Sequence, residues 1–108
     1  MRIEIRARGL ELTQAQRAHV REMVSSVLRR FGDRVGRVLV SLLDGGLPSA
    51  PNHLLCRIEV DVRPRKVRVE ELDRDLSLGM SRAAERTSRA VVRALGRQHP
   101  LDLAFARR

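Results

Sequence analysis

Four short stretches of the chain alternate an aliphatic residue with a charged or polar one, and a run of that kind folds as a strand with one dry face and one wet face. In the first, Ile3, Ile5 and Ala7 fall on one side and Arg2, Glu4, Arg6 and Arg8 on the other. The second sets Val38, Val40 and Leu42 against Arg37, Leu39 and Ser41, and Asp44-Gly45-Gly46 stops it. The third runs from Leu54 to Arg63 with Cys56, Ile58, Val60 and Val62 inward, and Pro64-Arg65 turns it back into the fourth, where Val67 and Val69 alternate with Lys66, Arg68 and Glu70. The turn leaves Arg63, Arg65 and Lys66 together at a hairpin tip.

Between and after these strands the period changes from two to about 3.6. Thr13 and Gln16 have capping-box spacing, and Val20, Met23, Val24, Val27, Leu28 and Phe31 continue as one apolar stripe to Gly32. A helix of about 18 residues is predicted there, with Gly32 as its terminating residue. A second helix is expected from an acidic cap at Asp73 or Asp75, with Leu76, Met80, Ala83, Ala84, Thr87, Val91, Ala94 and Leu95 on its inner face and Gly96 and Pro100 at its end. The order is therefore β-α-β-β-β-α. Four half-dry strands and two striped helices satisfy one another as an α+β two-layer sandwich, a four-stranded sheet with both helices packed on one face. A right-handed crossover makes strands one and two parallel, and the remaining strands form a meander. The segment Asp44 to His53, rich in Gly and Pro, is loop chemistry and is expected to be the most mobile internal stretch.

The 108 residues fit one domain, read as 1–97 with a short basic tail, 98–108. Its charge is lopsided: 22 Lys and Arg, of which only Lys66 is lysine, oppose 13 Asp and Glu, for a net +9. A polyanion is the expected partner. With no Trp or Tyr, the chain lacks the platforms that stack unpaired bases, which argues against sequence-specific single-strand reading. A lone Cys56 excludes an internal disulfide and a cysteine-based zinc cluster, and fits a reducing compartment. No apolar run approaches the roughly 20 residues that span a bilayer, and the first ten residues do not resemble a secretory signal. The expected location is the cytoplasm, with no membrane partner.

The pattern richest in chemistry lies in the second helix. Arg82, Arg86, Arg89, Arg93 and Arg97 are spaced four, three, four and four apart, so they fall within about 80° of one another and form a ridge roughly 22 Å long. Guanidinium binds phosphate bidentately, so the ridge matches a nucleic-acid backbone. Within the helix only Glu85 offers a carboxylate, and the ridge is expected to be neutralised by a partner. Arg17 and Arg21 on the first helix and the tip residues Arg63, Arg65 and Lys66 are further candidate RNA contacts, whereas Arg29 and Arg30 suit a structural role at a helix end. His19, His53 and His99 are scattered, Cys56 reads as a core residue, and Glu70, Glu71, Asp73 and Asp75 read as capping rather than metal ligation. No nucleophile-base pair, cofactor motif or metal site is evident, so an enzyme is not expected.

Taken in order, Ile3-Glu4-Ile5, Leu12-Thr13, Arg30-Phe31, Val38 to Asp44, Cys56-Arg57-Ile58-Glu59-Val60, Asp73-Arg74-Asp75-Leu76 and Ala83-Ala84 resemble the ribosome hibernation-promoting factor and ribosome-associated inhibitor family, the sigma-54 modulation proteins. The similarity spans nearly all of residues 1–97. It implies a domain like a double-stranded-RNA-binding fold that sits in the small ribosomal subunit and occupies the path of mRNA and of tRNA, acting by occlusion under stress without turnover. It also implies that the family's basic second helix falls on the arginine ridge. The chain departs from the family at Leu78 and Gly79, where an aromatic residue and Ala are common, and at Met80-Ser81, where Ile-Asp is common. Long members carry a C-terminal domain that pairs ribosomes; this chain is expected to silence ribosomes without bridging two of them unaided. Two other readings remain open from residues alone: a general double-stranded-RNA or nucleic-acid binder, and a protein-interaction adaptor that uses the exposed sheet face with Leu39, Leu43 and Leu55.

Overall fold

Ile3 and Ile5 enter the core from β1 (Arg2–Arg8), the first strand of a computed structural model that describes residues 1–45 and 48–98. The chain continues through α1 (Gln14–Leu28), β2 (Arg37–Asp44), β3 (Leu54–Val62), β4 (Arg65–Asp73) and α2 (Leu76–Gln98). The sheet order is β1-β2-β3-β4, with β1 parallel to β2 and the other pairs antiparallel. Both helices lie on one face, α2 across β3 and β4 and α1 beside it over β1. The expected α+β sandwich is the observed one. Burial follows the alternation: Val38, Val40, Leu42, Ile58, Val60 and Val62 are fully inaccessible, and the strand residues between them are not.

The helix starts follow the sequence closely. At α1 the Gln16 amide donates to Thr13 Oγ1 at 3.0 Å and the Thr13 amide donates to Gln16 Oε1 at 2.9 Å, the reciprocal box that satisfies two otherwise orphaned groups. At α2 the cap is Asp75, whose Oδ1 accepts from the Leu78 amide at 2.9 Å, while Asp73 accepts the Asp75 amide at 2.9 Å and fixes the approach.

The helix ends differ from expectation. The α-helical bonding of α1 stops at Leu28 after 15 residues, and Arg29–Arg34 wind on as a 3-10 turn broken at Gly32 (φ 60°, ψ −137°). The tighter winding carries Phe31 on to the core's margin, and glycine supplies the left-handed backbone that ends it. Helix α2 passes through Gly96 to Gln98, because one glycine costs only about 1 kcal/mol in a helix held by a continuous apolar stripe. Residues 99–108, including the expected tail, and Gly46 and Leu47 of the β2–β3 connection lie outside the described residues. The ends of that connection are tied by the Gly45 amide donating to His53 O at 3.2 Å. The β3–β4 turn is shorter than the sequence suggests: Val62 pairs with Arg65, leaving Arg63 and Pro64, joined by a cis peptide, as the turn.

Candidate nucleic-acid interface

Helix α2 buries Met80, Ala83, Ala84, Thr87, Val91 and Ala94 against the sheet, and its opposite flank presents Arg82, Arg86, Arg89 and Arg93 to solvent. Arg97 lies on the same helix, with its side chain outside the described residues. Polar Thr87 is accommodated in the core because its hydroxyl donates to Ala83 O at 2.7 Å. The ridge exists, but its carboxylate partners were missed. Arg82 reaches Asp73 Oδ2 at 3.2 Å, Arg86 pairs with the Glu71 carboxylate and donates to Glu70 O at 2.8 Å, and Arg89 pairs with Glu85 at 2.7 Å. The expectation of a largely unneutralised ridge is therefore corrected. Strand β4 runs antiparallel beside α2 and turns Glu71 and Asp73 toward the helix. Arg93 has no partner among the described residues.

These pairs do not silence the ridge. The side chains of Arg82, Arg86 and Arg89 are 62%, 48% and 57% exposed; the Arg89–Glu85 pair is exposed on both sides and contributes about 0–1 kcal/mol, whereas Asp73 and Glu71, at 15% and 22%, tie their arginines more firmly to β4. A guanidinium has five N–H donors, so each retains several for a phosphate. Climbing α2 from Arg82 to Arg86 moves the contact down β4 from Asp73 to Glu71, toward the start of that strand. The C-terminal half of α2 and the hairpin tip thus lie toward the same end of the molecule. At the tip Arg63 and Arg65 are exposed without ion pairs among the described residues, and Lys66 stands 3.7 Å from Asp61.

Arg17 and Arg21 are elsewhere. They belong to the opposite edge of the sheet, roughly 14 Å across three interstrand spacings, where Arg17 donates to Ile5 O at 3.3 Å and Arg21 to Ile3 O at 2.8 Å. They hold α1 to the edge strand, and the structure does not join them to the α2 ridge. Arg29 and Arg30 take the expected structural role: Arg29 pairs with Glu22 at 3.1 Å, and Arg30 donates to Ser88 Oγ at 2.8 Å while lying 4.7 Å over the Phe31 ring.

The sheet face turned away from the helices carries a lattice of ion pairs that periodicity alone did not reveal. Glu4 sits between Arg6 and Arg37, at 2.7 and 2.9 Å, and Glu70 between Arg57 and Arg68, at 2.7 and 3.3 Å. Hydrogen bonds, from Arg37 and then Arg6 for Glu4 and from Arg57 and then Arg68 for Glu70, hold both carboxyls below their ordinary range. Leu55, expected on the exposed face, is only 6% accessible, enclosed between the cross-strand neighbours Leu43 and Leu72. Cys56 is inaccessible, and burial, helped by Asp73 and Glu71, pushes its thiol up to about 11, so at neutral pH it is protonated and unreactive. His19 Nε2 lies 3.3 Å from Ser77 Oγ, bridging α1 and the first turn of α2, and His99 falls outside the described residues. Among the described residues no three potential metal ligands cluster, and no helix is long and apolar enough to cross a membrane.

Comparison with known proteins agrees with this architecture. A family profile described as Sigma 54 modulation protein / S30EA ribosomal protein matches residues 3–99. The N-terminal domain of Thermus thermophilus Protein Y superposes with a TM-score of 0.71 at 30% identity, over 86% of this chain and 98% of that one. A ribosomal subunit interface protein from Coxiella burnetii superposes with a TM-score of 0.74 over 89% and 99% of the two chains, at 9% identity, a likeness of fold alone. No curated protein sequence matches the chain.

Proposed function

The chain belongs to the Sigma 54 modulation protein / S30EA ribosomal protein family, and from that premise we propose that it is a cytoplasmic, ribosome-associated hibernation factor. Residues 1–97 form the binding unit. The α2 flank and the hairpin tip contact ribosomal RNA of the small subunit, and the bound domain blocks the mRNA and tRNA sites by occupancy, without turnover or cofactor. The observation that carries this reading is the solvent-facing arginine track on α2, whose Arg93 has no partner among the described residues, in a chain with a net charge of +9. Phosphate displaces the exposed carboxylate of Glu85 at small cost and adds to the free donors of the other arginines, and the release of counterions from RNA supplies the binding free energy.

The test is co-sedimentation with purified small subunits and whole ribosomes across a salt series. Arg89→Glu/Arg93→Glu is the informative variant, because Arg82 and Arg86 also hold β4 and their reversal would disturb the fold. Wild type is expected to saturate at a single copy per small subunit, with a log–log salt slope of roughly −3.5 to −4.5 for about five phosphate contacts. The variant should bind more weakly with a slope shallower by about 1.5. Equal affinity for ribosomes and generic duplex RNA would favour a general nucleic-acid binder, and variant binding equal to wild type would remove α2 from the interface.

A further inference from the structure

The open face of the sheet is graded from apolar to charged. Strand register sets Arg8, Leu43, Leu55 and Leu72 in one row across all four strands, and Arg6, Ser41, Arg57 and Glu70 in the next. Over the β1–β3 part of these rows lies a groove of about 540 Å³, walled by Arg6, Arg8, Arg17 and Arg57 and floored by Leu39 and Leu43. Among the described residues Glu59 is the one acid in its lining. Arg6 spends its Nε on Glu4, Arg57 its Nε on Glu70, and Arg17 one terminal nitrogen on Ile5 O, so each keeps donors free. Arg8 is exposed and has no partner among the described residues. Four cations thus surround an aliphatic floor with one anion.

We propose that this groove docks an extended protein segment that is acidic and carries aliphatic side chains. Its carboxylates pair with the guanidinium wall while its aliphatic groups cover Leu39 and Leu43. Charge complementarity sets the sign of the partner, and the floor sets its class. Among the described residues no aromatic side chain lines the groove to stack a base, whereas leucines reward an aliphatic group. The site is on the opposite side of the sheet from α2, so it stands independently of the ribosomal reading and leaves both surfaces free to be occupied at once.

Fluorescence anisotropy with a short labelled peptide that alternates Asp and Glu with Leu tests the assignment, against the same peptide with every Leu replaced by Ser and against an oligouridylate of equal length. The Leu peptide is expected to bind about ten-fold more tightly than the Ser peptide, and Arg8→Glu and Leu43→Ser should each weaken it about ten-fold. Arg89→Glu/Arg93→Glu should leave it unchanged. If Leu43→Ser lowers the melting temperature, Arg8→Glu carries the test, since that side chain holds nothing in the fold. Absence of binding, equal affinity for the two peptides, or weakening by the α2 variant would overturn the proposal. So would oligouridylate binding that Leu43→Ser abolishes, which would make the groove an RNA site.

Discussion

Gly79 stands in the first turn of α2, where glycine costs about 1 kcal/mol relative to alanine, and the reason it is there lies across the core. A Cβ at that position would sit 2.9 Å from Cys56 Sγ and 3.1 Å from Asp73 Cβ. The helix start is thus pressed onto β3 and the end of β4, at the point where Asp75 caps it and Asp73 fixes the approach. Gly79→Ala gains helix propensity but forces the thiol aside in a region with no slack, and overpacking of that kind costs about 1–3 kcal/mol. The net expectation is destabilisation. Removing the thiol by Cys56→Ala relieves the closer contact and leaves only Asp73 Cβ at 3.1 Å, so in that background Gly79→Ala should cost clearly less than in wild type. Urea titration of the four proteins reads the coupling directly; additive effects would show that Gly79 is not there to accommodate the thiol.

The elements meet at their edges, and there the helices do more than cover the sheet. The Arg2 amide bonds to Gly36 O, which turns the Ile3 and Ile5 carbonyls of β1 outward. Arg21 and Arg17, one turn apart on α1, donate to those two carbonyls, and Arg86 of α2 does the same for Glu70 O on β4. Each edge strand is guarded by guanidinium groups from the helix beside it, a protection against strand addition by a second copy. Arg17→Ala/Arg21→Ala should lower stability by about 1 kcal/mol and raise concentration-dependent self-association in sedimentation velocity. Ribosome binding should change far less than in Arg89→Glu/Arg93→Glu. Unaltered self-association would refute the guarding role. The strands, the capping box at Thr13 and the α2 ridge were all legible in the sequence because each is a local periodicity. The partners of Arg82, Arg86, Arg17 and Arg21 were not, because they lie 9 to 18 residues away and become neighbours only once β4 and β1 are known to be the edges. Alternation of Glu71 and Asp73 ahead of a helix rich in arginine was the one available signal for the first two.

For the whole molecule the dominant quantity is the excess of cations, and the ion-pair lattice on the open face determines how the fold tolerates it. Self-repulsion among 22 Lys and Arg side chains is offset by 13 carboxylates, of which Glu4 and Glu70 each bridge two arginines. Both are held below the ordinary glutamate value of 4.5, so the folded state binds protons less readily at these sites than the unfolded chain. The stability they contribute is therefore fully present above about pH 4.5 and is lost as the pH falls through their folded values. Loss of carboxylate charge in acid also raises the net charge above +9, because the 22 cations stay fixed. Acid unfolding should begin below about pH 4.5 and start at higher pH in dilute buffer than in salt, since screening shortens the range of the repulsion. Glu70→Gln separates the two causes. At pH 7 it removes an exposed bridge and should lower the melting temperature slightly; as the pH falls through the lowered folded value of Glu70 and wild type loses the same charge, the two melting temperatures should converge. Melting curves at pH 7 and along a descending pH series to the acid limit of folding, each in low and high salt, decide the matter: a gap that persists unchanged down to that limit would show that Glu70 stabilises the sheet by packing rather than by charge, and the acid limit of this fold would then rest on repulsion alone.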